Sequence, residues 1–170
     1  MMKGKWATGI APRNFCWIIK DRLAVSERPG GYSRAHRPIR RQEEIIWIRE
    51  QGFSRVISLL ASPHNLHAYD ELGVVWEHAP FGLHDNARDV LGGPYPMLRT
   101  WLAAGEKILV HQEELSDRVL GTAAGYLVYA GMVPEQAHAI SILEQISQRQ
   151  LGPPGRQLVA IAGELVESPG

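Results

Sequence analysis

Apolar and polar residues alternate along this chain in blocks whose period switches between two and about three and a half. Residues 14 to 27, NFCWIIKDRLAVSE, place β-branched and aromatic residues on either side of Lys20-Asp21-Arg22, a pattern that predicts two strands of a hairpin. A loop rich in Pro, Gly and Arg follows. From Arg40 to Gln51, Ile45, Ile46, Trp47 and Ile48 recur among Arg, Gln and Glu at helical spacing. Gly52 ends that helix before the apolar strand Arg55 to Leu60. Ser62-Pro63 reads as an N-cap with Pro in the first turn, so a short helix is expected over 63–72, ending at Gly73 before a strand over 74–78. Residues 79 to 94, with Pro80, Gly82, Gly92, Gly93 and Pro94, carry little periodicity and read as a long, functional loop.

The second half repeats the alternation. A helix over 95–104 leads through Gly105 to Lys107-Ile-Leu-Val110, an apolar run suited to a central strand covered on both faces. His111 to Asp117 is a polar turn. Arg118 to Gly131 is an apolar helix whose Gly121, Ala123, Ala124 and Gly125 permit close packing. Further helices are expected from Pro134 to about Gln148 and over 156–166. Strands alternating with helices define an α/β fold: three layers, with a central, mostly parallel mixed sheet and helices on both faces. The expected organisation is a basic N-terminal extension over 1–13 and a single domain over 14–167.

Composition narrows the function classes. At 170 residues, 45% hydrophobic and with 18 basic against 18 acidic residues, the chain is an ordinary globular domain rather than a disordered tail or coiled coil. No apolar run approaches the roughly 20 residues of a membrane span, and no secretory signal is visible, so a cytoplasmic location without membrane contact is expected. The single Cys16 builds neither an internal disulfide nor a cysteine metal cage. It reads as a structural cysteine beside Trp17. His64 and His67 share a helical spacing without further ligands, so neither a metal nor any other cofactor is implied. Charge is segregated: residues 1–41 hold ten basic against two acidic residues, net +8, and the remainder eight against sixteen, net −8. The basic segment Arg34 to Arg41 either pairs with the acidic body or attracts a partner. No nucleic-acid motif accompanies it.

The specific pattern lies at Ile108 to Met132, ILVHQEELSDRVLGTAAGYLVYAGM. It resembles the phosphate loop and following helix of cysteine-dependent dual-specificity and protein tyrosine phosphatases, in which a strand ends in Val-His-Cys, five residues follow and an Arg opens the helix. NFCWIIKDRLAVSERP and WIREQGFSRVISLL resemble the small atypical dual-specificity members, so the likeness covers about 14–165. It implies the phosphotyrosine-phosphatase fold, with His111 orienting the loop and Arg118 clamping phosphate.

Gln112 stands at the nucleophile position. A carboxamide has no ionisable proton in the accessible range and forms no thiophosphate intermediate. Glu113, Glu114, Leu115, Ser116 and Asp117 replace the small loop residues of the family, and Leu115 stands where a Gly is usual, which removes freedom to curl the backbone amides inward. Val119 replaces the hydroxyl residue that assists the leaving thiolate, while Ser116 and Asp117 read as helix caps. Three carboxylates around Arg118 imply that an internal acid occupies it. At 4 Å and an effective dielectric of 20, each such charge interacts with a bound anion at a cost of about 4 kcal/mol. The vestigial general acid falls at Asp85, 27 residues before Gln112, or at Asp89, 23 before it. These departures predict a pseudophosphatase: a binding or regulatory module that meets an unidentified protein partner through Arg34 to Arg41 and the 79–94 loop. The alternatives are a divergent hydrolase in which Asp85, Glu113 or Glu114 activates water, and a subunit whose former site is buried under a partner protein.

Overall fold

The computed structural model describes residues 9–31, 38–63, 65–82 and 84–167. Two strands, β1 (Cys16–Ile19) and β2 (Leu23–Glu27), form the expected antiparallel hairpin. Its turn places Asp21 at φ 62°, and the Arg22 N–H donates to the Ile19 carbonyl at 2.9 Å. The chain then alternates through α1 (Pro38–Glu50), β3 (Arg55–Ser58), α2 (His67–Glu71) and β4 (Trp76–His78). Next come α3 (Ala87–Leu91), α4 (Pro94–Ala103), β5 (Ile108–Gln112), α5 (Asp117–Tyr129), α6 (Gln136–Ser147) and α7 (Pro153–Glu167).

The strand order is β1-β2-β5-β3-β4, and every pairing except β1 with β2 is parallel. β5 is central: His111 lies opposite Ser26 of β2 and Ser58 of β3. Side chains alternate between two cores, as the pleat requires. Ala24, Val56 and Leu109 join Ile45, Ile48 and Tyr69 beneath α1 and α2, whereas Leu23, Val25, Ile57, Ile108 and Val110 face α3–α7. The three-layer α/β architecture is therefore the one the sequence predicts.

Three local expectations are corrected. Ser62-Pro63 does not open a helix, because Asn65 turns into the left-handed region at φ 66° and α2 begins only at His67, after Leu66. The 79–94 loop contains α3, started by Asn86, whose side chain accepts the Asp89 N–H at 3.2 Å. α7 begins at Pro153 rather than 156, since prolines fit a first helical turn whose N–H groups need no intrahelical partner. Residues 9–13, placed in the extension by the sequence, lie against the domain: the Ile10 N–H donates to the Glu43 carbonyl, and the Arg13 carbonyl accepts from the Glu27 N–H. Arg34, Arg37 and His64 lie outside the described residues.

Candidate functional site

β5 carries its last residues to the C-terminal edge of the sheet between β2 and β3, where the strand order switches and α/β folds place their ligands. A cleft of about 540 Å³ opens there, lined by Ala61, Phe81, Gly82, Gln112–Glu114, Ser116–Arg118 and Pro154. The predicted loop residues are thus brought together. Two do not line the cleft: Leu115 packs against the hydrophobic core, and strand alternation turns His111 to the opposite face of the sheet, against Tyr69 and the α1–α2 core.

Gln112, 8% exposed, is held on both ends of its carboxamide. Its Nε2 donates to the Phe81 carbonyl at 3.0 Å and the Leu59 carbonyl at 3.4 Å, and its Oε1 accepts from the Ser116 hydroxyl at 3.1 Å. One expectation at the helix start is corrected. Ser116 stands at the N-cap of α5, yet its side chain makes no capping bond and its hydroxyl donates to Gln112.

Arg118 overturns the expected internal ion pair. Its Nη1 donates to the Phe81 carbonyl at 3.0 Å, and the guanidinium lies 5.2 Å from the centre of the Phe81 ring. Among the described residues no ion pair joins Arg118 to Glu113, Glu114 or Asp117. Glu113 and Glu114 are exposed, and Asp117 pairs with Arg149 at 2.8 Å. The two glutamates reach water, which screens them, so the charge penalty on an anion is much smaller than the 4 Å arithmetic implies. The Phe81 carbonyl instead accepts from both Gln112 and Arg118.

The turn has its own brace. Arg149 Nη1 donates to the Leu115 carbonyl at 2.7 Å while Nη2 holds Asp117, tying the loop to the end of α6. None of residues 113–118 has a positive φ, so Leu115 does not adopt the backbone a glycine there would favour. Neither Arg149 nor Phe81 was expected at the site. Arg149 is remote in sequence, and Phe81 contributes a backbone carbonyl that any residue could supply.

Asp85 is not in this cleft. Its carboxylate accepts the Gly82 N–H at 2.6 Å and lines a separate depression of about 330 Å³ with Asn86, Arg88, Gln157 and Ile161. Asp89 is exposed in the first turn of α3. Cys16 is half-buried in β1 with its thiol against the Asn14 carbonyl, and burial pushes its pKa up, away from a reactive thiolate. His67 is exposed, and among the described residues no three His, Cys, Asp or Glu gather as metal ligands. No helix among them is long and apolar enough to cross a membrane. Of the basic segment, Arg40 pairs with the buried Glu44 at 3.2 Å, so at that residue the pairing with the body holds.

His111 is fully buried, and desolvation, helped by the charges of Arg28 and His78, lowers its pKa to about 3. Because the unfolded imidazole binds a proton near pH 6.5, the unfolded state holds more protons between pH 6.5 and 3, and stability falls as pH drops through that window. From pH 6.5 to 5 this one residue contributes a loss of about 2 kcal/mol. Urea unfolding at the two pH values should show that slope in the native chain and a flatter one in His111→Phe; equal slopes would contradict a neutral buried imidazole.

No protein-family model matches the sequence, and no curated protein matches it. Solved structures do match the fold. A kinase-associated phosphatase, determined with its catalytic-site cysteine replaced by serine, aligns over 94% of this chain and 99% of its own at TM-score 0.76 and 17% identity. Tk-PTP in its active form aligns over 89% and 97% at 0.71 and 16%, and human DUSP28 over 94% and 100% at 0.69 and 12%. The chain has the fold of the dual-specificity and protein tyrosine phosphatases.

Proposed function

We propose that this chain is a pseudophosphatase: a phosphatase-fold domain without covalent phosphatase turnover that serves as a binding or regulatory module. The observation that carries the reading is Gln112. It stands at the end of the central strand where the resemblance expects a thiolate, and its carboxamide is committed to Leu59, Phe81 and Ser116. No thiolate stands at the strand end, and Arg118 directs Nη1 to the Phe81 carbonyl rather than wholly into the cleft. Recognition then falls to the exposed Glu113 and Glu114, to the 79–94 loop and to the basic segment Arg34 to Arg41. A cytoplasmic protein partner suits such a surface.

The hydrolase alternative draws less support. Asp85 is turned toward Gly82 and α7, away from the cleft, and Glu113 and Glu114 are exposed to solvent at its edge.

Calorimetric titration of a phosphotyrosine peptide against its unphosphorylated form tests the reading, with the same mixtures analysed for inorganic phosphate. The two peptides are expected to bind alike, with no phosphate released. An affinity gained on phosphorylation and lost in Arg118→Ala would overturn it, as would phosphate release.

A further inference from the structure

Behind the cleft, on the α1–α2 side of the sheet, a narrow slot is lined by His111, Tyr69, Asn65, Leu66, Arg28 and Arg41, among others. Its free volume is about 10 Å³, close to that of one water-sized sphere. Two lining side chains with polar atoms are almost wholly buried, His111 at 0% and Tyr69 at 1% exposure. Among the described residues, neither the ring nitrogens of His111 nor the Tyr69 hydroxyl has a hydrogen-bond partner. The rings lie 5.9 Å apart between centres and tilted by 34°, in the same slot yet without a direct bond.

Buried polar atoms left unpaired each cost on the order of 1–3 kcal/mol, and native proteins satisfy nearly all of them. The ligand must therefore be small and able both to donate and to accept. A neutral imidazole offers one donor and one acceptor, and a phenol hydroxyl offers both. We propose that the slot is a binding site for one resident water molecule, bridging Tyr69 Oη and a ring nitrogen of His111. An anion would need a larger space and would lose the acceptor bond to imidazole. The bridge ties α2 to the β5 residue immediately before Gln112, so it fixes the strand end from the face opposite the cleft. It stands independently of what the cleft binds.

A high-resolution crystal structure of the whole chain, grown once from chloride and once from bromide, gives the direct test. It is paired with water-selective nuclear Overhauser spectra of the His111 ring protons in solution. The expected result is one ordered water within hydrogen-bond distance of Tyr69 Oη and a His111 nitrogen, seen in solution as a cross-peak from a water that outlives molecular tumbling. Tyr69→Phe removes one hydroxyl and is expected to abolish that cross-peak while the chain stays folded. If that variant does not fold, the wild-type density and cross-peak decide alone. A slot without ordered density, a direct Tyr69–His111 bond, or an anomalous bromide peak in the slot would overturn the proposal.

Discussion

Gly121→Ala is expected to lower stability by about 3 kcal/mol and the melting temperature by roughly 6–12 °C, although alanine is the better helix former. A β-carbon at 121 would lie 2.7 Å from the Gly155 carbonyl oxygen and 2.8 Å from the Gly155 α-carbon. Both obstacles are backbone, so no rotamer change relieves them, and α5 and α7 must move apart. Gly125 is equally constrained: a β-carbon there would meet the Tyr95 hydroxyl at 2.5 Å, and that hydroxyl is held by the Thr122 carbonyl. Gly163 of α7 provides the contrast. Its added β-carbon meets only the far end of the Gln136 side chain at close range, which can swing away, so Gly163→Ala should be neutral or slightly stabilising through helix propensity. Thermal unfolding of Gly121→Ala and Gly163→Ala checks this pair. A Gly121→Ala protein as stable as the native one would mean that the helices do not approach so closely.

A second large effect concerns attempts to restore chemistry. Gln112→Cys alone should remain at least about 100-fold slower on an aryl phosphate than a variant that also changes Glu113 and Glu114 to small residues and Leu115 to Gly. Burial at position 112 raises the pKa of a thiol placed there, which lowers its thiolate fraction. Arg118 stays directed at the Phe81 carbonyl, and the turn keeps a backbone without the positive φ that a glycine at position 115 would favour. Preorganised donors around the developing charge often contribute more to catalysis than any other single effect, so an unrestored cradle is expected to hold the rate down even with a sulfur at position 112. The exposed glutamates contribute less to this deficit than their number implies. Comparable rates for the two variants would show that the turn was never disabled.

Much of this was legible in the sequence because local signals and the fold agree. The Lys20-Asp21-Arg22 turn, the small-residue face of α5 and the apolar run of β5 each follow from spacing, and the likeness around His111 to Arg118 ordered them into one architecture. The cleft was less legible. Proximity in sequence placed three acids around Arg118, whereas the helix start directs Asp117 to Arg149 and leaves Glu113 and Glu114 in water. The actual partner, the Phe81 carbonyl, is a backbone group 37 positions away and has no residue signature. Asn65 did carry a signal, since asparagine tolerates the left-handed region better than most residues. Asn86 carried another, an N-cap within a stretch that otherwise reads as irregular.

If Gln112 removes covalent phosphatase turnover, as proposed, steady-state hydrolysis of p-nitrophenyl phosphate by the native chain, measured beside Arg118→Ala, reads that loss without any other change to the protein. Both proteins are expected to release p-nitrophenol at the rate of buffer alone. Turnover by the native chain that disappears on Arg118→Ala would contradict it.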